Sequence, residues 1–336
     1  MSESLLIPTF SFADELHPPT SRAFPENASE AADYVQPASS GRRESGMFGM
    51  TRNDGTRFHE GIDIRSFSRD ASGKPSDAVF AVLSGKISHL CGEINGPYGR
   101  YVVLEHSDGK IIFYTLYAHL DSLNPELSEG RWAEKGAVLG VLGKSSSVYD
   151  FPAGTEHLHF EVGLRLSHDS FIRWYEGRFP SWDRNLHSFW NGLNLAGADP
   201  QKFFSSFADF PDFVSWMRTE IEPAFVVFVG IGEVPDILRL SPGLLSGGIP
   251  ENPKGWRITF SWSGLPLEFV PEGEGMEEIS PGTLRVEKVY EKHLQKSLAR
   301  GMLFRSDGKI VPGRNLETSL DIIFGRSASP VSTVDD

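Results

Sequence analysis

The feature that most constrains the fold of this chain is a series of short apolar segments separated by turn signals, which begins near Gly46. Segments rich in Val, Ile, Leu, Phe and Tyr alternate with turn clusters such as Ser107-Asp108-Gly109. Strands of this length between such turns are typical of an antiparallel β domain. The predicted strands cover residues 79–90, 100–106, 111–120, 137–142 and 157–166.

The chain is longer than this β domain requires. It has 336 residues, which allows one large domain or two ordinary domains with their own cores. Residues 18 to 45 are rich in Pro, Ser, Ala and Glu, a composition that favours an extended segment. We therefore predict an N-terminal arm over 1–45, a β domain over 46–205 and a C-terminal α+β region over 206–336.

Within the later part of the chain the patterns are less regular. Residues 168–198 are full of aromatic side chains without clear alternation, which indicates a long loop. Periodicity and turn signals predict a helix over 203–221, strands at 225–229, 256–262 and 267–270, a helix from about 282 to 300 and a last strand at 321–324.

Charge and cysteine content exclude several classes of function. Lys and Arg number 32 against 45 Asp and Glu, a net charge of −13, so the chain lacks the basic surface that nucleic-acid binding needs. Its one cysteine excludes a disulfide framework and any multi-Cys metal site. Any metal is therefore held by nitrogen and oxygen ligands.

Residues 157–162 carry an alternating pattern that points to a functional site. His157, His159 and Glu161 lie on one face of the predicted strand, and apolar residues lie on the other. Water-facing strands more often carry Thr, Ser, Lys or Glu than paired His. Two imidazoles at this spacing suit presentation to a metal or a substrate, with a solvated strand face as the alternative.

Two further segments supply comparable side chains. His59 and Asp63 are four residues apart in a segment that reads as extended, so both can face the same side of a strand. A helical H-E-x-x-D arrangement is disfavoured because Gly61 is a poor residue for a helix interior. His119 lies at the end of an apolar predicted strand. It indicates a functional site only in combination with the other two segments.

Together these segments offer one Asp and four His in an all-β context. A catalytic zinc site uses three nitrogen or oxygen ligands and keeps one position open for water. Two His and one Asp satisfy that number, and two His would remain for proton transfer near neutral pH.

The combination of motifs resembles the lysostaphin/LytM-type zinc metallopeptidases, peptidase family M23. The resemblance runs from about Phe48 to Phe204 and rests on FHEGIDI, VFAVLSGKISHL, YGRYVVLEH with YTLYAHL, WAEKGAVLGVLGKSS and HLHFEV, in that order. It implies a barrel-sandwich (duplicated hybrid motif) fold with an active-site groove on a sheet.

The resemblance also implies roles for individual residues. The ligands of one Zn²⁺ ion would be His59, Asp63 and His159, and the catalytic pair would be His119 and His157. Many family members carry a Tyr shortly upstream of the first His, but Asn53 and Asp54 occupy that stretch here. Arg57, Arg100 and Tyr117 remain alternatives for the group that stabilises the oxyanion. The short turn that precedes H-x-H in the family is replaced by the longer segment 144–156.

The expected activity is that of a zinc metalloendopeptidase that cuts peptide cross-links or stem peptides of bacterial peptidoglycan. One alternative is a non-catalytic scaffold of the same fold that activates another envelope hydrolase, which would show loss of metal ligands. Another is a phosphoryl-carrier module, for which Asp63 beside His59 has no use.

We expect a periplasmic or cell-envelope location because the substrate lies there. The N-terminal residues show no basic region typical of a signal peptide, and no apolar run is long enough for a transmembrane segment. Peptidoglycan peptides are the expected partner, and the oligomeric state stays open.

Overall fold

The computed structural model describes residues 16–25, 31–38, 40–180, 183–273, 280 and 282–326. Residue contacts divide the chain into two compact units, 1–163 with 197–216 and 164–196 with 217–336. The boundaries predicted at 45/46 and 205/206 stay a prediction. Within the described ranges no helix combines the length and the apolar character needed to cross a bilayer.

The first unit consists mainly of short strands joined by tight turns. Its strands are β1 (Gly49–Arg52), β2 (Arg57–His59), β3 (Ile62–Arg65), β4 (Ala78–Phe80), β5 (Gly85–Asn95), β6 (Gly99–Ser107), β7 (Ile112–Ala118), β8 (Leu120–Leu123), β9 (Trp132–Ala133), β10 (Val138–Leu142), β11 (His157–Arg165) and β12 (Leu195–Ala198). The strands predicted at 100–106, 137–142 and 157–166 are therefore confirmed, whereas the stretch 79–90 is divided between β4 and β5 and the stretch 111–120 between β7 and β8.

The strands form one large antiparallel sheet and two small ones. The large sheet has the order β12-β11-β7-β6-β5-β9, and β3 also pairs with β11. The strands β4-β10-β8 form a second sheet and β1-β2 a hairpin. This arrangement agrees with the predicted mainly β fold of the barrel-sandwich type.

Strand β11 is buried on both faces. Its apolar residues Leu158, Phe160 and Val162 have no exposed surface and lie in the core of the unit. The polar residues that alternate with them are also buried. Because burying polar groups is costly unless they are paired, this face requires partners within the protein.

The predicted continuous strand around His59 is instead two strands. β2 ends at His59 and β3 begins at Ile62, with a bend at Glu60 and Gly61 between them. A Cβ atom on Gly61 would lie 2.2 Å from the carbonyl oxygen of Phe160, so only glycine fits this crossing. The bend lets β2 pair with β1 while β3 pairs with β11.

The predicted N-terminal arm is described only in part, since residues 1–15, 26–30 and 39 lie outside the described residues. A short helix, α1 (Ala31–Tyr34), is followed by a bridge between Val35 and Ile64. The amide of Gln36 then donates to the carbonyl oxygen of Asp63 at 2.8 Å. The described end of the arm thus holds β3 in place.

The single helix predicted over 203–221 is wrong, because two helices occupy this stretch. They are α3 (Pro200–Ser206) and α4 (Phe213–Glu220). Pro211 lies between them, and proline cannot continue a helix interior. The Asp212 carboxylate then accepts from the Ser215 amide at 2.7 Å, which caps the start of α4.

The second unit has the α+β character expected for the C-terminal region. A sheet of order β15-β14-β13-β16 is built from β13 (Phe225–Val229), β14 (Gly255–Phe260), β15 (Pro266–Glu272) and β16 (Leu284–Val289). The other elements are the helices α2 (Ser170–Arg178), α5 (Glu291–Ala299) and α6 (Arg314–Phe324) and the hairpin strands β17 (Leu303–Ser306) and β18 (Lys309–Pro312).

Three local predictions in this unit are wrong. The supposed loop 168–198 contains α2, the stretch 282–300 begins as a strand before α5, and residues 321–324 end a helix. Helix α2 begins where the Asp236 carboxylate accepts from the amides of Asp169 and Ser170. A cap that comes from a distant residue leaves no local signal in the sequence.

Candidate metal centre

The structure brings together the three residues predicted as metal ligands. Asp63 on β3 lies directly opposite His159 on β11, and His59 reaches the same point from the end of β2. Asp63 Oδ1 is 3.1 Å from His59 Nε2 and 3.0 Å from His159 Nδ1. The two histidine nitrogens are 3.1 Å apart.

These separations fit a tetrahedral metal ion. Ligand bonds of about 2.0–2.1 Å in a tetrahedral zinc site place neighbouring donor atoms about 3.3 Å apart. The three observed distances are only slightly shorter. Within the described residues this is the group of His, Asp and Glu side chains that could hold a metal ion.

Hydrogen bonds on the far sides of the rings fix which nitrogen faces the site. His59 Nδ1 donates to the carbonyl oxygen of Met47 at 2.9 Å, and His159 Nε2 donates to Glu161 Oε1 at 2.9 Å. The remaining nitrogens, His59 Nε2 and His159 Nδ1, are therefore the ones available to a metal. Such partners orient metal-binding histidines and raise their basicity.

Glu161 is the centre of a buried hydrogen-bonded group. Besides His159, it accepts from the hydroxyl groups of Tyr98 at 2.8 Å and Tyr114 at 2.9 Å. Burial by itself raises the pKa of the Glu161 carboxyl, but these three donors outweigh it and hold the pKa below the usual value. Glu161 is therefore a carboxylate, and a carboxylate opposite the ligand strengthens metal binding by His159.

The charges at the site are strongly coupled. Burial raises the pKa of the Asp63 carboxyl, but the neighbouring imidazoles of His59 and His157, the guanidinium of Arg52 and the hydrogen bond from His159 hold it well below the usual range. Burial lowers the pKa of His159, yet its hydrogen bonds to Asp63 and Glu161 raise it to about 9. Without a metal, His159 thus carries protons on both nitrogens, and metal binding has to displace one.

The predicted catalytic pair lies beside the ligands. His119 and His157 have ring centroids 4.8 Å apart, and His157 Nε2 is 3.8 Å from Asp63 Oδ1. His119 lies between β7 and β8 and adopts a left-handed backbone conformation with φ of 63°. Strained residues of this kind often occur at functional sites.

Both rings are held by the segment 144–156. His119 Nδ1 donates to the carbonyl oxygen of Ser145 at 2.9 Å, and His157 Nδ1 donates to that of Thr155 at 2.7 Å. Phe151 packs edge-on against both rings, at 4.9 Å and 5.0 Å between centroids. Nε2 of each ring is consequently the nitrogen left for proton transfer.

Burial keeps these two imidazoles neutral. It lowers the pKa of His119 well below the usual value, with the neighbouring histidines adding to the effect. Burial also lowers the pKa of His157, although Asp63 partly opposes the change. Neutral imidazoles near pH 7 are able to accept a proton.

A cleft of about 590 Å³ opens onto the site. The residues that line it include Arg52, Asp63, Tyr149, Phe151 and His157. The cleft therefore gives a ligand access to one of the predicted metal ligands, to one of the neutral histidines and to the aromatic residues of the segment 144–156.

The structure also contains a contact that the sequence analysis missed. Arg52 Nη2 donates to Asp63 Oδ2 and lies 2.8 Å from His59 Nε2. The three alternatives named above point elsewhere: Arg57 pairs with Tyr149, Arg100 binds backbone oxygens of Gly92 and Asp121, and the Tyr117 hydroxyl accepts from the Val82 amide.

Several known structures are similar to parts of this chain. The catalytic domain of lysostaphin from Staphylococcus simulans is 22% identical over 41% of this chain and 85% of that one, with a TM-score of 0.26. A zinc-containing peptidase from Vibrio cholerae is 24% identical over 42% and 36%, with a TM-score of 0.27. CbpA from L. salivarius REN is 21% identical over 53% and 98%, with a TM-score of 0.30.

No significant match is found among curated proteins. The sequence profile described as Peptidase family M23 matches residues 57–169. That range contains all five of the His and Asp residues predicted to form the site. The predicted resemblance to peptidase family M23 is therefore confirmed over residues 57–169.

Proposed function

We propose that this protein is a zinc-dependent endopeptidase that hydrolyses peptide bonds of bacterial peptidoglycan cross-links or stem peptides. The observation that carries the proposal is the convergence of His59, Asp63 and His159 with His119 and His157. Each of the four histidines has its outer nitrogen tied to a carbonyl or carboxylate oxygen. All four therefore present a defined nitrogen to one point.

In this proposal a single Zn²⁺ is held by His59 Nε2, Asp63 Oδ1 and His159 Nδ1. Three ligands of nitrogen and oxygen type are typical of catalytic zinc sites, whereas structural sites usually have four. When bound, the ion would polarise the substrate carbonyl and lower the pKa of water.

The histidine pair moves the protons of the reaction. Nε2 of one neutral imidazole takes a proton from water as the water oxygen bonds to the carbonyl carbon. The carbon–nitrogen bond then breaks, and the proton passes to the leaving nitrogen. The products are a carboxylate and an amine. Phe151 excludes water from one side of both rings, which keeps them neutral and fixed.

Peptidoglycan as the substrate is supported by membership of the family and by the shape of the site. The cleft is lined by aromatic and charged residues such as Tyr149, Phe151 and Arg52, which suits a peptide substrate. A periplasmic or cell-envelope location belongs to the same proposal, since the polymer lies there.

The competing function is a scaffold that binds and activates another envelope hydrolase. A scaffold of this fold is expected to have lost metal ligands, whereas this chain keeps all three of the predicted ones. Metal analysis separates the two: we expect one zinc per chain and release of peptide products from defined muropeptides. A folded protein that binds no zinc, or a His159→Ala variant that cleaves at the wild-type rate, contradicts the proposal.

A further inference from the structure

Arg52 is a cation in direct contact with two of the predicted metal ligands. It ends β1, where the strand register to β2 is irregular. Its Nε donates to the carbonyl oxygen of the buried Ser45 at 3.2 Å. Its Nη2 reaches Asp63 Oδ2 and His59 Nε2. The guanidinium is therefore anchored on one side and lies against the ligand set on the other.

This arginine keeps donor capacity to spare. A guanidinium has five N–H donors. Nε and Nη2 make the contacts above, and Nη1 makes no hydrogen bond to any residue in the ranges that the structure describes. The side chain is 19% exposed and lines the same cleft as Asp63 and His157. A bound ligand in the cleft can therefore reach donors of Arg52.

Metal binding would free one more of these donors. His59 Nδ1 carries the hydrogen that goes to Met47, so His59 Nε2 has only one lone pair to offer. Nη2 of Arg52 uses that lone pair in the present structure. Coordination of a metal by His59 Nε2 would use this lone pair, so Nη2 of Arg52 would lose its acceptor on His59. An N–H group next to the ligands would then need another acceptor.

We propose that this acceptor is the carbonyl oxygen of the scissile bond and that Arg52 stabilises the negative charge it gains during hydrolysis. A positively charged donor held in a site with little water stabilises a developing negative charge more strongly than it would in bulk water. The planar guanidinium can serve Asp63 and the substrate oxygen together, which a lysine ammonium does less well. This inference rests on the proposed peptidase function.

A purely positioning role for Arg52 makes a different prediction. If Arg52 only held the Asp63 carboxylate in place, its loss would weaken zinc binding. A role at the substrate oxygen would instead weaken binding of a tetrahedral anion to the zinc-loaded protein. A dipeptide phosphinate, in which a tetrahedral phosphinate replaces the amide, provides that probe because it resembles the transition state.

The experiment compares Arg52→Gln and Arg52→Lys with Arg57→Gln, which removes the same charge from the same cleft. We measure zinc affinity by chelator competition, phosphinate affinity by calorimetry on zinc-loaded protein, and kcat and KM on a defined muropeptide. For Arg52→Gln we expect kcat to fall by about 10²–10³-fold, with KM changing far less. Phosphinate affinity falls by a comparable factor, and Arg52→Lys recovers part of both losses.

Other outcomes overturn the assignment. Arg52→Gln with wild-type phosphinate affinity removes the proposed role, and so does a loss of zinc affinity large enough to explain the lost activity. An equal loss of phosphinate affinity in Arg57→Gln would show a general charge effect instead. If wild-type protein cleaves no muropeptide, the proposed substrate fails while phosphinate affinity still decides the role of Arg52. A wild-type protein that binds no zinc overturns both.

Discussion

The carboxylate of Glu161 offers the sharpest test of how the protein tunes its metal centre. It accepts a hydrogen bond from His159 Nε2 and from two tyrosine hydroxyls, and it is buried. Glu161→Gln keeps the size of the side chain and removes its charge. The amide oxygen can still accept from His159 and Tyr98, and the amide nitrogen can donate to the Tyr114 hydroxyl, so the fold should survive.

The expected magnitude follows from two independent estimates. A hydrogen bond to a charged group contributes about 1.5–3 kcal/mol. Removal of the group that orients a metal-bound histidine typically weakens metal affinity about 10–100-fold, which corresponds to about 1.4–2.7 kcal/mol. Because the two ranges agree, we expect zinc to bind Glu161→Gln about 10–100-fold more weakly than it binds wild type.

The assay is competition for zinc against a chelating dye, with circular dichroism to show that the variant is folded. Tyr114→Phe is the matched control, since it removes one donor to Glu161 and leaves the bond to His159 intact. We expect it to lower zinc affinity less than about fivefold. A folded Glu161→Gln protein with zinc affinity within about twofold of wild type would refute the reasoning, because that bond is worth far more by the estimate above.

Three further predictions concern the same site. In metal-free protein the pKa of His159 is raised to about 9. Its contribution to the free energy of unfolding, up to about 3 kcal/mol, is therefore full below pH 6.5 and lost as the pH rises to 9. The thermal midpoint of chelator-treated protein should fall across that window, and a flat profile would contradict this. Phe151→Ala uncovers both imidazoles of the proposed catalytic pair, so the acidic limb of the pH–rate profile should move to higher pH while zinc content stays the same. Gly61→Ala places a Cβ against the Phe160 carbonyl oxygen and should lower the free energy of unfolding by about 1–3 kcal/mol, measured in urea.

The five predicted site residues come together because each motif carries its own geometric information. The alternation around His159 places two imidazoles and a carboxylate on one strand face, and antiparallel pairing then sets Asp63 opposite His159. What the sequence does not contain is the set of groups that approach from elsewhere in the chain. Arg52 lies on β1, across the hairpin from the strand that carries His59, and the Met47 oxygen that orients His59 belongs to the backbone.

The same distinction explains the errors in the later part of the chain. The start of α2 is stabilised in part by the carboxylate of Asp236, far along the sequence, and that contribution leaves no local signal in residues 168–198. The apolar spacing in 282–300 fits a helix as well as a strand followed by a helix. Short periodic patterns leave that choice to tertiary packing.

The segment 144–156 has a consequence for how specificity in this protein can change. Its two ends supply the Ser145 and Thr155 oxygens that hold the imidazoles of the proposed catalytic pair, whereas its tip includes the exposed Val148 and the cleft-facing Tyr149. The two ends must keep their positions so that both imidazoles stay oriented, but this requirement does not apply to Val148 and Tyr149 at the tip. The segment therefore combines fixed positions, Phe151 among them, with a tip at Val148 and Tyr149, where substitutions can alter the fit of a peptide in the cleft while the proposed catalytic pair stays held.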